Sequence, residues 1–111
     1  MVFMYLKFLN SLHNKLKVEV IIDAKDKGQI KKLCITYDYA PKKDSQTKLP
    51  IGSYKYHFYD LTSQDEPHIF SVLPNQLISL EPTNEHFNPT EYIKVETKWS
   101  IKRDWGLFSN Q

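Results

Sequence analysis

The residues best suited to bind a ligand lie on one predicted strand, which runs from Tyr54 to Asp60. Successive residues of a strand point to opposite faces, so one set of its side chains must pack in the core. The other set presents Lys55, His57 and Tyr59 together. Aromatic rings can stack on a planar group and a lysine can pair with a phosphate. The strand therefore predicts a binding surface for a flat, anionic ligand.

Four further residues complete the predicted ligand-binding set. Tyr54 begins the strand just described, and Gln76 begins a later one. Lys42 and Lys43 belong to a polar loop from Ala40 to Pro50. Because polar loops between strands are commonly mobile, we expect these two lysines to close on an anion.

A second group of cations lies on the last predicted strand. Lys94, Lys98, Lys102 and Arg103 form a basic stripe there, which Glu96 interrupts. Each cation that neutralises a nucleic-acid phosphate releases counterions, so such a stripe predicts salt-sensitive binding. A solvated sheet face is the alternative, since fifteen basic and thirteen acidic residues leave a net charge of only +2.

The residue types used in catalysis do not form a recognisable motif. Cys34 lies in the middle of a predicted strand, and the four histidines show neither HxxxH nor HExxH spacing. Three glycines are too few for a dinucleotide fingerprint or a P-loop, and no GxSxG elbow is present. We therefore predict a protein that is not an enzyme, without a metal site or a cofactor.

The elements that must position these residues follow from the spacing of apolar side chains. Helical spacing predicts one amphipathic helix over residues 3–15, and a period of two then predicts a strand from Leu16 to Ile22. Further short strands recur along the chain, and the last runs from Ile93 to Ile101. We predict a mainly β protein with an N-terminal helix (α+β), built as a small antiparallel SH3-like or Sm-like barrel or rolled sheet of about five or six strands.

The size and composition are those of a single domain. The chain has 111 residues, of which 41% are hydrophobic and 25% charged, and neither a linker nor a repeat is visible. We predict one domain over residues 1–111, with a β-barrel core at about 16–103 and an apolar tail at 104–111. No apolar stretch is long enough to cross a bilayer and the N-terminus is a poor signal peptide, so we expect a cytoplasmic protein without membrane contact.

Three stretches between residues 23 and 87 each carry a distinct sequence pattern, and they occur in a characteristic order. An alternating run ends in tyrosine (Ile30–Tyr37), an aromatic strand ends in Tyr-Asp (Gly52–Asp60), and a strand leads into an acidic tail (Gln76–Phe87). This order resembles the WYL domain, an Sm-like, SH3-like β-barrel module of bacterial regulators. The resemblance implies a module that senses a ligand or a nucleic acid in a regulatory or defence role.

The chain also departs from the WYL pattern. The family takes its name from a Trp-Tyr-Leu tripeptide, and this chain has Tyr54-Lys55-Tyr56 at the corresponding position. The arginine that the family places near Gln76 is absent. The resemblance favours a short helix over residues 16–24, where the period of two favours a strand. We predict the strand.

Two functions are consistent with these observations. The first is the binding of a nucleotide, a single-stranded oligonucleotide or another anionic ligand. The second is a protein-interaction or homo-oligomerisation module with no small ligand. The apolar stripe of the N-terminal helix is broader than a small core requires, and small sheets leave exposed edges, so we also predict a homodimer.

Overall fold

The chain forms one helix followed by an antiparallel sheet. The computed structural model describes residues 2–47, 49–62, 68–93 and 99–105. The elements are α1 (Val2–His13), β1 (Leu16–Ala24), β2 (Gly28–Lys43), β3 (Pro50–Asp60), β4 (Ile69–Val72) and β5 (Leu77–His86), with 3-10 turns at Pro74–Gln76 and Pro89–Glu91. The five strands lie in the order β4-β3-β2-β1-β5.

The predicted fold class is confirmed, although the sheet is not closed into a barrel. Residues 16–24 form strand β1 rather than a helix, as the period of two predicts. The predicted loop from Ala40 to Pro50 is shorter than expected, because β2 continues to Lys43 and β3 begins at Pro50. Backbone pairing extends this hairpin beyond the residues whose polarity alternates.

The predicted last strand and tail are described only in part. Residues 94–98 and 106–111 lie outside the described part of the chain. Ile93 and the segment from Trp99 to Trp105, which flank the first of these gaps, are not in a strand. Apart from the 3-10 turn at Pro89–Glu91, the described segment after β5 is therefore irregular, and side-chain contacts hold it to the sheet.

The helix covers one face of the sheet, which we call the helix face. Phe8 and Leu12 of α1 are fully buried. The ring centroid of Phe8 lies 5.0 Å from that of Tyr56 and 5.6 Å from that of Phe58, both on β3. The other strands add further buried side chains to this face: Val18, Val20, Cys34, Leu77 and Leu80. Each buried side chain of this size contributes about 1.5–3 kcal/mol, so this face holds the main hydrophobic core.

The opposite face, which we call the back face, is covered in part by the segment after β5. Asp38 of β2 pairs in register with His57 of β3, so alternation along β3 places both on the back face. The Asp38 carboxylate accepts hydrogen bonds from the backbone N–H groups of Ser100 (2.9 Å) and Ile101 (3.1 Å) and from Nη2 of Arg103 (3.1 Å). These bonds attach the C-terminal segment to β2.

Arg103 is a buried cation whose contacts favour its charge. Its side chain is 0% exposed, and its guanidinium carbon lies 3.7 Å and 4.5 Å from the ring centroids of Trp99 and Trp105. The guanidinium also donates a hydrogen bond to the carbonyl oxygen of Tyr37. Burial lowers the pKa of Arg103 to about 10, and the neighbouring Asp38 opposes that shift. The side chain therefore remains charged at neutral pH.

Replacing Arg103 by methionine is expected to lower the free energy of unfolding by about 3–5 kcal/mol, because Asp38 then keeps a buried charge without a cation. The matched control is Lys7→Met, which breaks an exposed pair with Glu81 at 2.7 Å. That change should cost no more than about 1 kcal/mol. Urea denaturation at pH 7 measures both variants, and equal losses would contradict a structural role for the buried pair.

Candidate functional site

The structure divides the predicted ligand-binding set between the two faces of β3. Tyr54 points to the helix face, together with Tyr56, whereas Lys55, His57 and Tyr59 point to the back face. Tyr54 is therefore separated by the sheet from the other three. As predicted, β3 presents Lys55, His57 and Tyr59 on one face, but Tyr54 is not on that face.

On the back face, His57 and Tyr59 already have partners in the sheet or directly beside it. Nε2 of His57 lies 2.8 Å from the carbonyl oxygen of Ala40, and Nδ1 lies 2.6 Å from Oγ of Ser71. A carbonyl can only accept, so Nε2 donates the proton in the first bond. The Tyr59 ring stacks on His68 with 5.2 Å between centroids. These contacts join β2, β3 and β4, which makes both rings structural links.

The predicted cations do not gather around one site. Lys42 is exposed at the end of β2, and Lys102 is exposed in the segment after β5. The prediction that Arg103 belongs to a surface stripe is corrected by its burial against Asp38 and two tryptophans. Three further predicted cations lie outside the described residues or side chains: Lys43, Lys94 and Lys98.

Four tyrosines on the helix face form a cluster that the sequence analysis did not predict. Tyr39 of β2 is its centre. The Tyr39 ring centroid lies 5.1 Å from that of Tyr5 on α1, 5.1 Å from that of Tyr54 and 4.7 Å from that of Tyr56. Pairing within the β2–β3 hairpin brings Tyr39, Tyr54 and Tyr56 together, and packing of α1 on the sheet adds Tyr5.

The four tyrosines line an open groove beside the first turns of α1. One hollow, of about 670 Å³, is lined by Met4, Tyr5, Tyr39, Tyr56, Pro74, Asn75 and Leu77. A second hollow, of about 420 Å³, is lined by Ser53, Tyr54 and Leu73 together with Tyr39, Pro74 and Asn75, which it shares with the first. We call the two together the tyrosine groove. None of the described residues that line these two hollows carries a charge, whereas a neighbouring hollow, which shares Leu73 and Asn75, is lined by Asp23 and Lys25.

The 3-10 turn at Pro74–Gln76 forms one wall of the tyrosine groove. Oε1 of Gln76 accepts a hydrogen bond from the backbone N–H of Leu73 at 2.9 Å. This bond holds the turn at the point where β4 ends. Gln76, a predicted ligand residue, therefore shapes the wall of the groove, while Asn75 lines it.

The tyrosines of the groove differ in exposure, and their hydroxyl groups have no hydrogen-bond partner among the described residues. No hydrogen bond from the described residues reaches the hydroxyl of Tyr5, Tyr39, Tyr54 or Tyr56. Tyr56 is 3% exposed and Tyr54 is 53% exposed. Burial raises the pKa of Tyr56 to about 12, with smaller contributions from Tyr39 and Tyr5. At neutral pH the Tyr56 hydroxyl is thus an uncharged donor and acceptor.

The described residues show no arrangement typical of metal binding or nucleophilic catalysis. No three of their His, Cys, Asp and Glu side chains are grouped to hold a metal ion. Cys34 is fully buried, and burial, followed by the charge of Asp60, raises the pKa of its thiol. Asp60 is paired with Lys32 at 2.8 Å. That the chain is not an enzyme stays a prediction.

Within the same described residues, no helix combines the length and the apolar character needed to pass through a bilayer. The cytoplasmic location stays a prediction.

The chain matches no protein-family model, and comparisons with curated proteins and with solved structures find no match either. The resemblance to WYL domains therefore stays a prediction from three sequence stretches, and no residue role is carried over from that family. Any function assigned to the chain depends on its own geometry.

Cys34 should not react with a thiol reagent in the folded protein, because its sulfur is buried and its raised pKa leaves little thiolate. With dithionitrobenzoate at pH 8, the absorbance of one released thiol per chain should develop only after unfolding in guanidinium. Rapid release in native buffer would contradict this account of the thiol.

The free energy of unfolding should fall as the pH rises from about 10 to 12. The folded protein keeps the Tyr56 proton up to a pKa of about 12, whereas an unfolded tyrosine loses it near 10. Below pH 10 this residue is protonated in both states and contributes no pH dependence. In denaturation at a series of pH values, Tyr56→Phe should flatten the decline by up to about 1.4 kcal/mol per pH unit. An unchanged slope would count against the raised pKa.

Proposed function

We propose that the chain is a non-enzymatic protein-interaction module whose tyrosine groove takes a segment of a partner protein. The observation that carries the proposal is the groove itself, with four tyrosines and no charged side chain in its described lining. Ligand sites are mostly apolar and aromatic, with a few polar groups that orient the ligand. The tyrosine groove has this composition.

The placement of charge favours a protein segment over an anionic ligand. A phosphate buried without a cation is costly, and no cation lines the described groove. Lys55, next to Tyr54 along the strand, points to the opposite face. Arg103 is paired with Asp38 inside the protein. A neutral segment would leave no charge unpaired in the groove.

The tip of the β2–β3 hairpin adds apolar surface beside the tyrosine groove. Every described residue from Ser45 to Tyr54 is exposed. Leu49 is 62% exposed and Ile51 is 47% exposed, both higher than is usual for large apolar side chains. Exposed apolar groups that share one end of a molecule are typical of interaction surfaces. A partner segment in the groove would extend over this tip.

A second candidate is the binding of a nucleotide or a single-stranded nucleic acid in a regulatory or defence role. It is favoured by the tyrosine rings, since bases stack on aromatic side chains. The hairpin sequence also contains several lysines: Lys42, Lys43, Lys48 and Lys55. The base would then lie in the groove and the phosphates on the hairpin, so affinity would fall as salt rises.

Adjacent residues on opposite faces of β3 provide a matched pair of variants. Phage-displayed random peptides selected on the protein are expected to bind Tyr54→Ala at least about tenfold more weakly, because the variant lacks one ring of the groove. The same peptides should bind Lys55→Ala with unchanged affinity, as measured by fluorescence polarisation. Circular dichroism checks that both variants fold.

The competing function is tested with labelled single-stranded thymidine oligomers and mononucleotides at two salt concentrations. Salt-sensitive binding that requires Tyr54, without any peptide that requires it, would overturn the protein-interaction proposal in favour of the second candidate. Sedimentation velocity tests the predicted homodimer. A dimer that dissociates in Tyr54→Ala would identify a second copy of the chain as the partner.

A further inference from the structure

We infer that the segment bound by the tyrosine groove is a proline-rich stretch in the polyproline II conformation. This inference rests on the proposed function, because it names the chemistry of the segment that the groove takes. It depends on one juxtaposition, tyrosine rings in mutual contact along a groove whose described lining carries no charge.

Three tyrosine rings in contact form an aromatic surface no longer than about one turn of a polyproline II helix. Tyr39 lies between Tyr5 and Tyr54, and each step between ring centroids is 5.1 Å. The two outer rings are therefore at most about 10 Å apart. A polyproline II helix has three residues per turn and rises about 3.1 Å per residue, so residues on the same side repeat every 9 Å or so. The three rings can therefore pack against at most about one turn of such a helix.

The polar groups of the groove also suit a proline-rich segment. Proline has no backbone N–H, so such a segment presents mainly carbonyl oxygens that must accept hydrogen bonds. The hydroxyl groups of Tyr5, Tyr39 and Tyr54 can donate, and no described residue uses them. Asn75 lines both hollows and adds an amide donor. Donors in the groove thus meet acceptors on the segment.

The conformation of the segment further favours binding to a flat, open groove. Polyproline II has no internal hydrogen bonds and is already populated before binding, so little conformational entropy is lost on association. Aromatic-lined grooves recognise such segments through ring packing and need no charge. The uncharged lining of the tyrosine groove is therefore sufficient.

The edge of β3 is a poor site for the other extended mode, in which a peptide adds a strand to the sheet. β4 pairs with β3 only from Tyr56 to Tyr59, so the remainder of β3 lacks a second neighbour in the described sheet. Pro50 removes an N–H from this edge, and Gly52, with φ 79°, interrupts its regular extended backbone. Side-chain recognition in the tyrosine groove is the mode that this geometry favours.

Titration of the full chain with decaproline tests the inference. A glycine-serine peptide of equal length is the control, because it is also uncharged but is flexible and lacks the proline rings. Isothermal calorimetry should show saturable binding of decaproline only. Tyr54→Phe, which keeps the ring and removes the hydroxyl, should weaken binding about fivefold, and Tyr54→Ala at least about tenfold. Lys55→Ala should leave the affinity unchanged.

The outcomes separate the inference from the proposed function. Decaproline that binds no better than the control peptide, while selected peptides without proline still require Tyr54, overturns the inference and leaves the proposed function standing. The same holds if decaproline binds equally to Tyr54→Ala and the unaltered protein. Failure of every peptide to depend on Tyr54 overturns both. Equal thermal midpoints of the Tyr54 variants and the unaltered protein exclude unfolding as the cause of weaker binding.

Discussion

The ion pair between Asp38 and Arg103 is the interaction on which both faces of the hairpin depend. On the back face it attaches the C-terminal segment to β2, with tryptophan rings on the guanidinium. The next residue along β2 is Tyr39, the centre of the tyrosine groove on the helix face. Because consecutive strand residues share one backbone, anchoring Asp38 also positions Tyr39. Backbone N–H donors on the carboxylate offset part of the cost of removing both charges from water.

Most of the fold could be predicted from the sequence, because burial of one sheet face imposes an alternating pattern. That pattern indicates β1 and the buried part of β3, where Tyr56 and Phe58 pack on the helix. The extension of β2 to Lys43 carries no such pattern, since this end of the hairpin is exposed and depends on backbone pairing. Asp38, the partner of Arg103, is 65 residues away. The local sequence therefore does not distinguish this buried arginine from the neighbouring lysines.

The candidate site was less predictable, for a related reason. Alternation correctly groups Lys55, His57 and Tyr59 on one face, but it does not show which hydrogen bonds their rings already make. The tyrosine groove combines α1 with the β2–β3 hairpin, and the contacts of α1 with the distant hairpin leave no periodic signal. The high count of seven tyrosines was the one available indication. The groove that results is uncharged, which is why its geometry favours a neutral segment over the anionic ligand predicted from the strand.

Burial of Cys34 has a practical consequence for the hairpin tip. The chain has one cysteine, and its sulfur is enclosed by the core, so a second cysteine introduced on the surface could be labelled selectively. Ser45 is exposed in a turn that is closed by its own hydrogen bonds, including one of 2.8 Å from the backbone N–H of Gln46 to Asp44. A fluorophore attached there would lie at the hairpin tip, outside the residues that line the tyrosine groove, and its emission would respond to a segment that extends over this tip.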